Sequence, residues 1–136
     1  MIVIDTNVVS EMMHKEPDRQ VLGWSDAAGR LHTTAITIAE VDYGIARLPE
    51  GRRKDQLVAA AASLFVEFEE MILPFDARAA RRYGSVVADR ERVGLPITAA
   101  DAQIAAICAA WGAILATRKT DDFSGTGVRL VNPWDG

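Results

Sequence analysis

Four acidic residues of this chain have the types and positions that could do chemistry: Asp5, Glu40, Asp101 and Asp122. Asp5 directly follows a strand-like run, residues 2–4, and Asp122 comes after another, residues 113–117. In an open α/β sheet the carboxyl ends of the strands line one crevice, so acids at these junctions can converge from distant parts of the sequence. Carboxylates crowded together repel one another unless a cation neutralises them. The pattern therefore predicts an oxygen-ligand site for Mg²⁺ or Mn²⁺.

The elements that would position these acids alternate between strand and helix patterns. Strand-like segments lie at residues 2–4, 31–35, 71–75, 113–117 and 128–131, and helical patterns lie at residues 6–13, 17–28, 38–48, 52–69, 77–93 and 99–111. Strands that alternate with helices indicate βαβ units. We therefore expect an α/β fold in which a mainly parallel sheet is covered by helices on both faces.

Length and composition fit one domain, which we expect to span residues 1–136. The chain has 49% hydrophobic residues, enough for an ordinary core. Its net charge of −4 argues against a broad, nonspecific nucleic-acid-binding face, although basic residues cluster at positions 52–54 and 118–119. If a metal neutralises the four acids, the net charge of the remaining surface is close to zero.

The sequence favours a cytoplasmic protein without a membrane span. The first residues lack the basic and apolar regions of a secretory signal. The longest uncharged apolar run, residues 104–116, is shorter than the roughly 20 residues that a span requires. Cys108 is the single cysteine, which rules out an internal disulfide, and its apolar neighbours indicate a small buried side chain.

Helix capping is the competing explanation for the acids. Thr37 and Glu40, and likewise Thr98 and Asp101, match the capping-box pattern, and Asp5 could cap its own turn. Capping does not explain why all the acids fall on the same edge of the predicted sheet. A capping carboxylate can also lean into the crevice and bind a metal, so the two roles are compatible.

Five short motifs carry a resemblance that covers nearly the whole chain. They are Ile4-Asp5-Thr6-Asn7, Ile38-Ala39-Glu40-Val41-x-x-Gly44-Ile45, Asp101-Ala102-x-Ile104-Ala105-Ala106, Ala116-Thr117-Arg118-x-x-x-Asp122-Phe123 and Asn132-Pro133-Trp134. In this order they resemble a PIN domain, and more narrowly the toxin subunits of VapBC (FitB-like) toxin–antitoxin pairs. The resemblance implies a three-layer fold with a five-stranded parallel sheet, a Mg²⁺- or Mn²⁺-dependent ribonuclease site, and a homodimer or higher toxin–antitoxin assembly. It also implies a small DNA-binding antitoxin that blocks the site.

The resemblance assigns the acids one by one. Asp5, Glu40 and Asp101 match the family's first three acids. Many relatives carry Asn or Asp directly after the Thr-Arg pair, and Lys119 stands at that position in this chain. The fourth acid is then Asp122, or its neighbour Asp121.

Supporting roles fall to neighbouring residues of the same motifs. Thr6 and Thr117 are expected to support the site or orient a water molecule, although each could be an ordinary cap. Asn7 and Arg118 are candidates for contacts with phosphate or antitoxin.

The chemistry expected of these residues is hydrolysis of an RNA phosphodiester by metal-activated water. The 3′-oxygen would leave, and the product would carry a 5′-phosphate. Asp5 and Asp101 are the expected main ligands of the metal. Glu40 and Asp122 would complete the ligand shell, directly or through water, or accept the proton of the nucleophile.

Two other functions remain open. A noncatalytic PIN-like module that binds RNA or protein through an impaired metal site would be consistent with Lys119 and with the acidic net charge. A phosphatase of the haloacid-dehalogenase type requires an Asp-x-Asp pair, and Asn7 stands where its second acid would be.

Overall fold

The computed structural model describes residues 1–135, in which short strands alternate with helices. The strands are β1 (Ile2–Ile4), β2 (Thr33–Thr34), β3 (Ile72–Leu73), β4 (Ile114–Ala116) and β5 (Arg129–Val131). The helices are α1 (Thr6–Met12), α2 (Arg19–Ala28), α3 (Ala35–Ala46), α4 (Arg52–Glu67), α5 (Ala77–Arg92), α6 (Ala99–Trp111) and α7 (Thr120–Phe123). A 3-10 turn, Glu69–Met71, precedes β3.

The five strands are all paired in parallel. β4 lies between β1 and β5, and β2 pairs with β3. A parallel bridge between Val3 and His32 joins the two parts, with hydrogen bonds from Ile4 N to His32 O at 2.7 Å and from His32 N to Ile2 O at 2.9 Å. The spatial order is therefore β3-β2-β1-β4-β5, which confirms the mainly parallel five-stranded sheet.

The reversal of strand order falls between β1 and β4. From β1 the chain first adds β2 and β3 on one side, and later adds β4 and β5 on the other. In open α/β sheets such a switch point leaves a crevice at the carboxyl ends of the strands. Asp5 follows β1 and donates its N–H to Ala116 O at 2.9 Å, and Thr117 follows β4. Both residues are thereby placed at the mouth of the crevice.

Helices cover both faces of the sheet, which confirms the three-layer arrangement. On one face, α5 and α6 pack together, and Val3 and Leu115 belong to the same buried cluster as Ile104 and Ile107. On the other face, the core contains α1, α2 and α3 together with part of α4; its members include Ile4, Val8, Val9, Val21, Val41, Ala61 and Ala116. Alternate residues of β1 therefore enter opposite cores, as a strand buried on both faces requires.

Helix caps explain where the observed helix limits agree with the predicted ones and where they differ. α2 begins at Arg19 and not at Pro17, because the Asp18 side chain accepts hydrogen bonds from Gln20 N and Val21 N and so acts as the N-cap. α6 matches its predicted limits, and Gly112 ends it in the left-handed conformation with φ of 61°.

Cys108 lies fully buried in α6, as the sequence predicted. Burial raises the pKa of its thiol to about 12, with a further contribution from the charge of Asp5. A thiol with this pKa stays protonated at neutral pH and is a poor nucleophile. Among residues 1–135, no helix combines the length and the apolar character that crossing a membrane would need.

Candidate active site

Asp5 is the buried centre of the candidate site, with 1% of its surface exposed at the end of β1. Its Oδ1 accepts a hydrogen bond from Thr6 N at 2.8 Å. Its Oδ2 accepts from Thr117 Oγ1 at 2.8 Å and from Asn7 Nδ2 at 3.0 Å. Asp5 is the N-cap of α1, and its carboxylate is also fixed by a residue that follows β4.

The electrostatic surroundings of Asp5 favour a nearby cation. Burial raises the pKa of Asp5 above its ordinary value, and the hydrogen bonds from Thr117 and Thr6 offset this only in part. The charge of Lys119 also lowers the pKa, whereas that of Asp101 raises it. A charge buried to this extent is stabilised when an opposite charge lies close by.

Asn7 joins the two central strand ends. Its Nδ2 donates to Asp5 Oδ2 and to Thr117 Oγ1, each at 3.0 Å, and its Oδ1 accepts from Arg118 N at 3.0 Å. Both donors of the carboxamide are therefore used within the protein. Its suggested contact with phosphate or antitoxin stays a prediction, and the structure adds a positioning role that the sequence did not reveal.

Glu40 lies in the second turn of α3, so the capping-box interpretation of Thr37 and Glu40 is wrong. The N-cap is Thr34, whose hydroxyl accepts a hydrogen bond from Thr37 N at 3.0 Å. Glu40 is half-buried, and its Oε1 accepts a hydrogen bond from Thr6 Oγ1 at 2.6 Å. The carboxylate is therefore held toward the start of α1, at the residue that follows Asp5.

Asp101 occupies the third position of α6, as its motif predicted. The Thr98 hydroxyl caps the helix by accepting a hydrogen bond from Asp101 N at 3.2 Å. The Asp101 side chain is only 8% exposed, and its Oδ1 lies 3.6 Å from Lys119 Nζ. Asp101 thus belongs to the N-terminal turn of a helix and faces the cleft at the same time.

Asp122 lies at the rim of the cleft, on the short helix α7. Its side chain is 56% exposed, and its Oδ2 is 3.9 Å from Lys119 Nζ. The neighbouring Asp121 is also exposed, and no ion pair between its carboxylate and Lys119 occurs in the part of the chain described. Of the two candidates for the fourth acid, Asp122 is therefore the one that contacts Lys119.

Lys119 places a positive charge among all four acids. Its side chain is 46% exposed. Partial burial by itself lowers the pKa of Lys119, but the attraction of Asp101, Asp5, Asp122 and Glu40 outweighs it and raises the pKa. The ammonium is protonated at neutral pH and cannot act as a metal ligand in that form.

The chemistry of the donors fits a hard cation, although the acids are spread widely. Within residues 1–135, no three side chains of Asp, Glu, His or Cys lie close enough together to enclose a metal ion. Mg²⁺ often keeps several water ligands and uses only one or two carboxylates of the protein. Asp5 and Asp101, both buried carboxylates that interact electrostatically, meet this smaller requirement.

Arg90 is a positioning residue that the sequence analysis missed. This α5 residue is buried, with 4% of its surface exposed, and its guanidinium binds backbone carbonyls. It donates to Leu95 O at 2.9 Å, Pro96 O at 2.9 Å, Asp121 O at 3.1 Å and Ser124 O at 2.7 Å. The guanidinium thus ties the loop before α6 to α7. Its spacing of four residues from Val86 could have indicated that Arg90 lies on the buried face of α5.

Arg118 connects two of the motifs on which the resemblance rests. Its backbone N–H is bound by Asn7, and its guanidinium lies over the ring of Trp134, 4.8 Å from the centroid. The chain end is positioned locally as well, since Trp134 N donates to Asn132 Oδ1 at 2.9 Å. The closing motif is thereby packed beside the segment that follows β4.

Comparison with known proteins gives concordant results. A family model described as "PIN domain" matches residues 2–127. The chain is 40% identical to the VapC ribonuclease Y4jK of Sinorhizobium fredii, with 99% of each chain covered. It is 36% identical to the toxin FitB of Neisseria gonorrhoeae, covering 98% of this chain and 99% of FitB. The solved structure of FitAB bound to an IR36 DNA fragment superposes with a TM-score of 0.89 at 36% identity, covering 98% of this chain and 96% of that one.

Proposed function

Because the chain belongs to the PIN-domain family, we propose that it is the toxin of a type II toxin–antitoxin pair and acts as a Mg²⁺- or Mn²⁺-dependent endoribonuclease. One structural observation carries most weight for the catalytic part. Asp5 is buried at the switch point of the sheet, held by Thr6, Asn7 and Thr117, and interacts electrostatically with Asp101. Ionising a carboxyl group that is buried in this way is costly, and a cation bound beside it would stabilise the charged form.

The proposed roles follow from burial and contacts. Asp5 and Asp101 would hold one Mg²⁺ or Mn²⁺, with water completing the ligand shell. When bound, the ion supplies positive charge for the phosphodiester and lowers the pKa of water. Glu40, oriented by the Thr6 hydroxyl, would accept the proton of the attacking water. Asp122 would act through water from the rim, and the 3′-oxygen would leave, so that the product carries a 5′-phosphate.

The substrate is proposed to be RNA because the relative Y4jK is named a ribonuclease. The exposed Arg118 at the mouth of the cleft can contact the phosphate backbone from its position over Trp134. Sequence preference would come from the surrounding loops, which can contact unpaired bases.

The proposed partner is a small antitoxin that carries its own DNA-binding domain. The structural relative FitAB was solved on a DNA fragment, and FitB itself is named a toxin. On this chain an apolar groove of about 480 Å³ runs between α3 and α4, where Ile45, Val58 and Phe65 line it. Val58 is 52% exposed, so an apolar segment of the antitoxin would cover surface that now faces solvent. We also propose that the toxin forms a homodimer within the complex.

A noncatalytic binding module is the second candidate, because Lys119 lies among the acids. Incubating the purified free protein with pooled RNA, with Mn²⁺ or with EDTA, separates the two functions. Mapping of new 5′ ends should show Mn²⁺-dependent cleavage by the parent and none by Asp5→Ala. RNA binding by folded protein without any cleavage in Mn²⁺ would favour the binding module.

A further inference from the structure

Lys119 takes the position between two of the candidate ligands. Its Nζ is 3.6 Å from Asp101 Oδ1 and 3.9 Å from Asp122 Oδ2, so it lies where an ion shared by these two acids would otherwise bind. Its backbone N–H donates to Thr117 Oγ1 at 3.0 Å, and that hydroxyl binds Asp5. The lysine is therefore anchored to the structure that holds the central acid.

We propose that the ammonium of Lys119 replaces a second divalent ion, so that the cleft binds a single Mg²⁺ or Mn²⁺ per chain. The inference rests on the proposed function, in which Asp5 and Asp101 hold the first ion. On the side of the cleft formed by Asp101 and Asp122, the lysine ammonium supplies the positive charge that a second ion would otherwise supply.

Electrostatic repulsion supports a single ion. A divalent ion bound between Asp101 and Asp122 would lie within a few Å of the ammonium, where like charges repel strongly even in a half-exposed site. A second ion could bind only if the lysine left its position.

A role in fold stability alone accounts poorly for this lysine. Its two ion pairs, at 3.6 and 3.9 Å, are longer than hydrogen bonds, and the side chain is 46% exposed. Ion pairs of this kind contribute little to stability. The charge of Lys119 therefore mainly affects the binding of cations in the cleft.

The test is a titration of the free, purified chain with Mn²⁺. Calorimetry measures the affinity and the number of ions bound per chain, and electron paramagnetic resonance of free Mn²⁺ gives an independent count. The parent should bind one Mn²⁺ per chain. Lys119→Arg keeps the charge and should also bind one. Lys119→Met removes the charge and should bind the first ion about tenfold more tightly. Lys119→Asp adds a carboxylate and should bind two. Lys15→Met, an exposed lysine on another surface, is the control and should match the parent.

The outcomes separate this inference from the proposed function. Two ions bound by the parent, or unchanged stoichiometry and affinity in both Lys119→Met and Lys119→Asp, would overturn the inference even if the parent cleaves RNA. One ion in the parent with altered binding in the variants, but no RNA cleavage, would support the inference and refute the nuclease. Absence of Mn²⁺ binding in the parent and in every variant would overturn both. Circular dichroism of each variant confirms that it is folded before titration.

Discussion

The hydroxyl of Thr6 donates a hydrogen bond of 2.6 Å to Oε1 of Glu40 and so connects the start of α1 to the second turn of α3. Thr6 directly follows Asp5, whose Oδ1 accepts the Thr6 backbone N–H. One residue therefore contacts two acids that are 35 positions apart in the chain. Orientation of Glu40 relative to Asp5 depends on this residue.

Glu40→Gln should lose about 10²-fold or more in RNA cleavage, because glutamine cannot accept the proton that Glu40 is proposed to take. Its free energy of unfolding should stay within about 1 kcal/mol of the parent, since the amide oxygen can still accept from Thr6. Single-turnover cleavage at saturating Mn²⁺ and urea unfolding measure the two quantities. Full activity in this variant would remove Glu40 from the site.

Thr6→Val should lower cleavage about tenfold, because the isosteric side chain cannot orient Glu40 and leaves its carboxylate free to rotate. The decisive measurement is a double-mutant cycle. In the Glu40→Gln background, Thr6→Val should have little further effect, because the residue it orients has already lost its function. Equal effects in both backgrounds would show that Thr6 does not act through Glu40.

Asp5→Asn should change the pH dependence of stability in EDTA. Because the folded-state pKa of Asp5 is raised, the folded protein keeps a proton that the unfolded chain loses near pH 3.8. This contribution to stability is fully present below pH 3.8 and is lost as pH rises through the folded-state pKa. The stability of Asp5→Asn relative to the parent should therefore increase with pH and then level off. A difference that does not vary with pH, in urea unfolding at several pH values, would contradict the prediction.

Asp101→Asn should remove most of the stabilisation by metal. For the parent, Mn²⁺ at 100 times its Kd should add about 2.7 kcal/mol to the free energy of unfolding. The variant should be at least as stable as the parent in EDTA, since one of the repelling acids is gone, and should gain little from Mn²⁺. Asp55→Asn, an exposed acid in the first turn of α4, is the matched control and should keep the full response. A variant destabilised by ~1 kcal/mol with a normal metal response would make Asp101 a cap alone.

Arg90→Met should destabilise the protein by about 3 kcal/mol, because four backbone carbonyls lose a charged, buried donor. Arg92→Met, two residues further on α5, is the control, since its side chain is 71% exposed and pairs with Asp89. Its stability should stay within about 0.5 kcal/mol of the parent. Thermal unfolding of both variants compares a buried with an exposed arginine of the same helix.

Much of the fold and of the site could be predicted from local sequence. Alternating patterns indicated the five strands and the helices between them, and α6 was predicted at its observed limits because Thr98 and Gly112 are strong helix start and stop signals. Three of the acids could be identified because each lies within a short motif that is recognisable from a few neighbouring residues; they are Asp5, Glu40 and Asp101. Capping, β-strand patterning and turn chemistry act over a few residues, so the sequence displays them directly.

Tertiary structure decided the contacts between distant segments. Strand order placed Thr117 against Asp5, 112 positions away, and directed Asn7 to both of them. It turned Glu40 toward Thr6 instead of toward a helix cap, buried Arg90 under two loops, and brought Lys119 between Asp101 and Asp122. These outcomes depend on which strands pair and how helices pack on them, and hydrogen bonds and ion pairs between segments form only once that packing exists. The residues were all visible in the sequence, but their partners were set by packing of the sheet and its two helical layers.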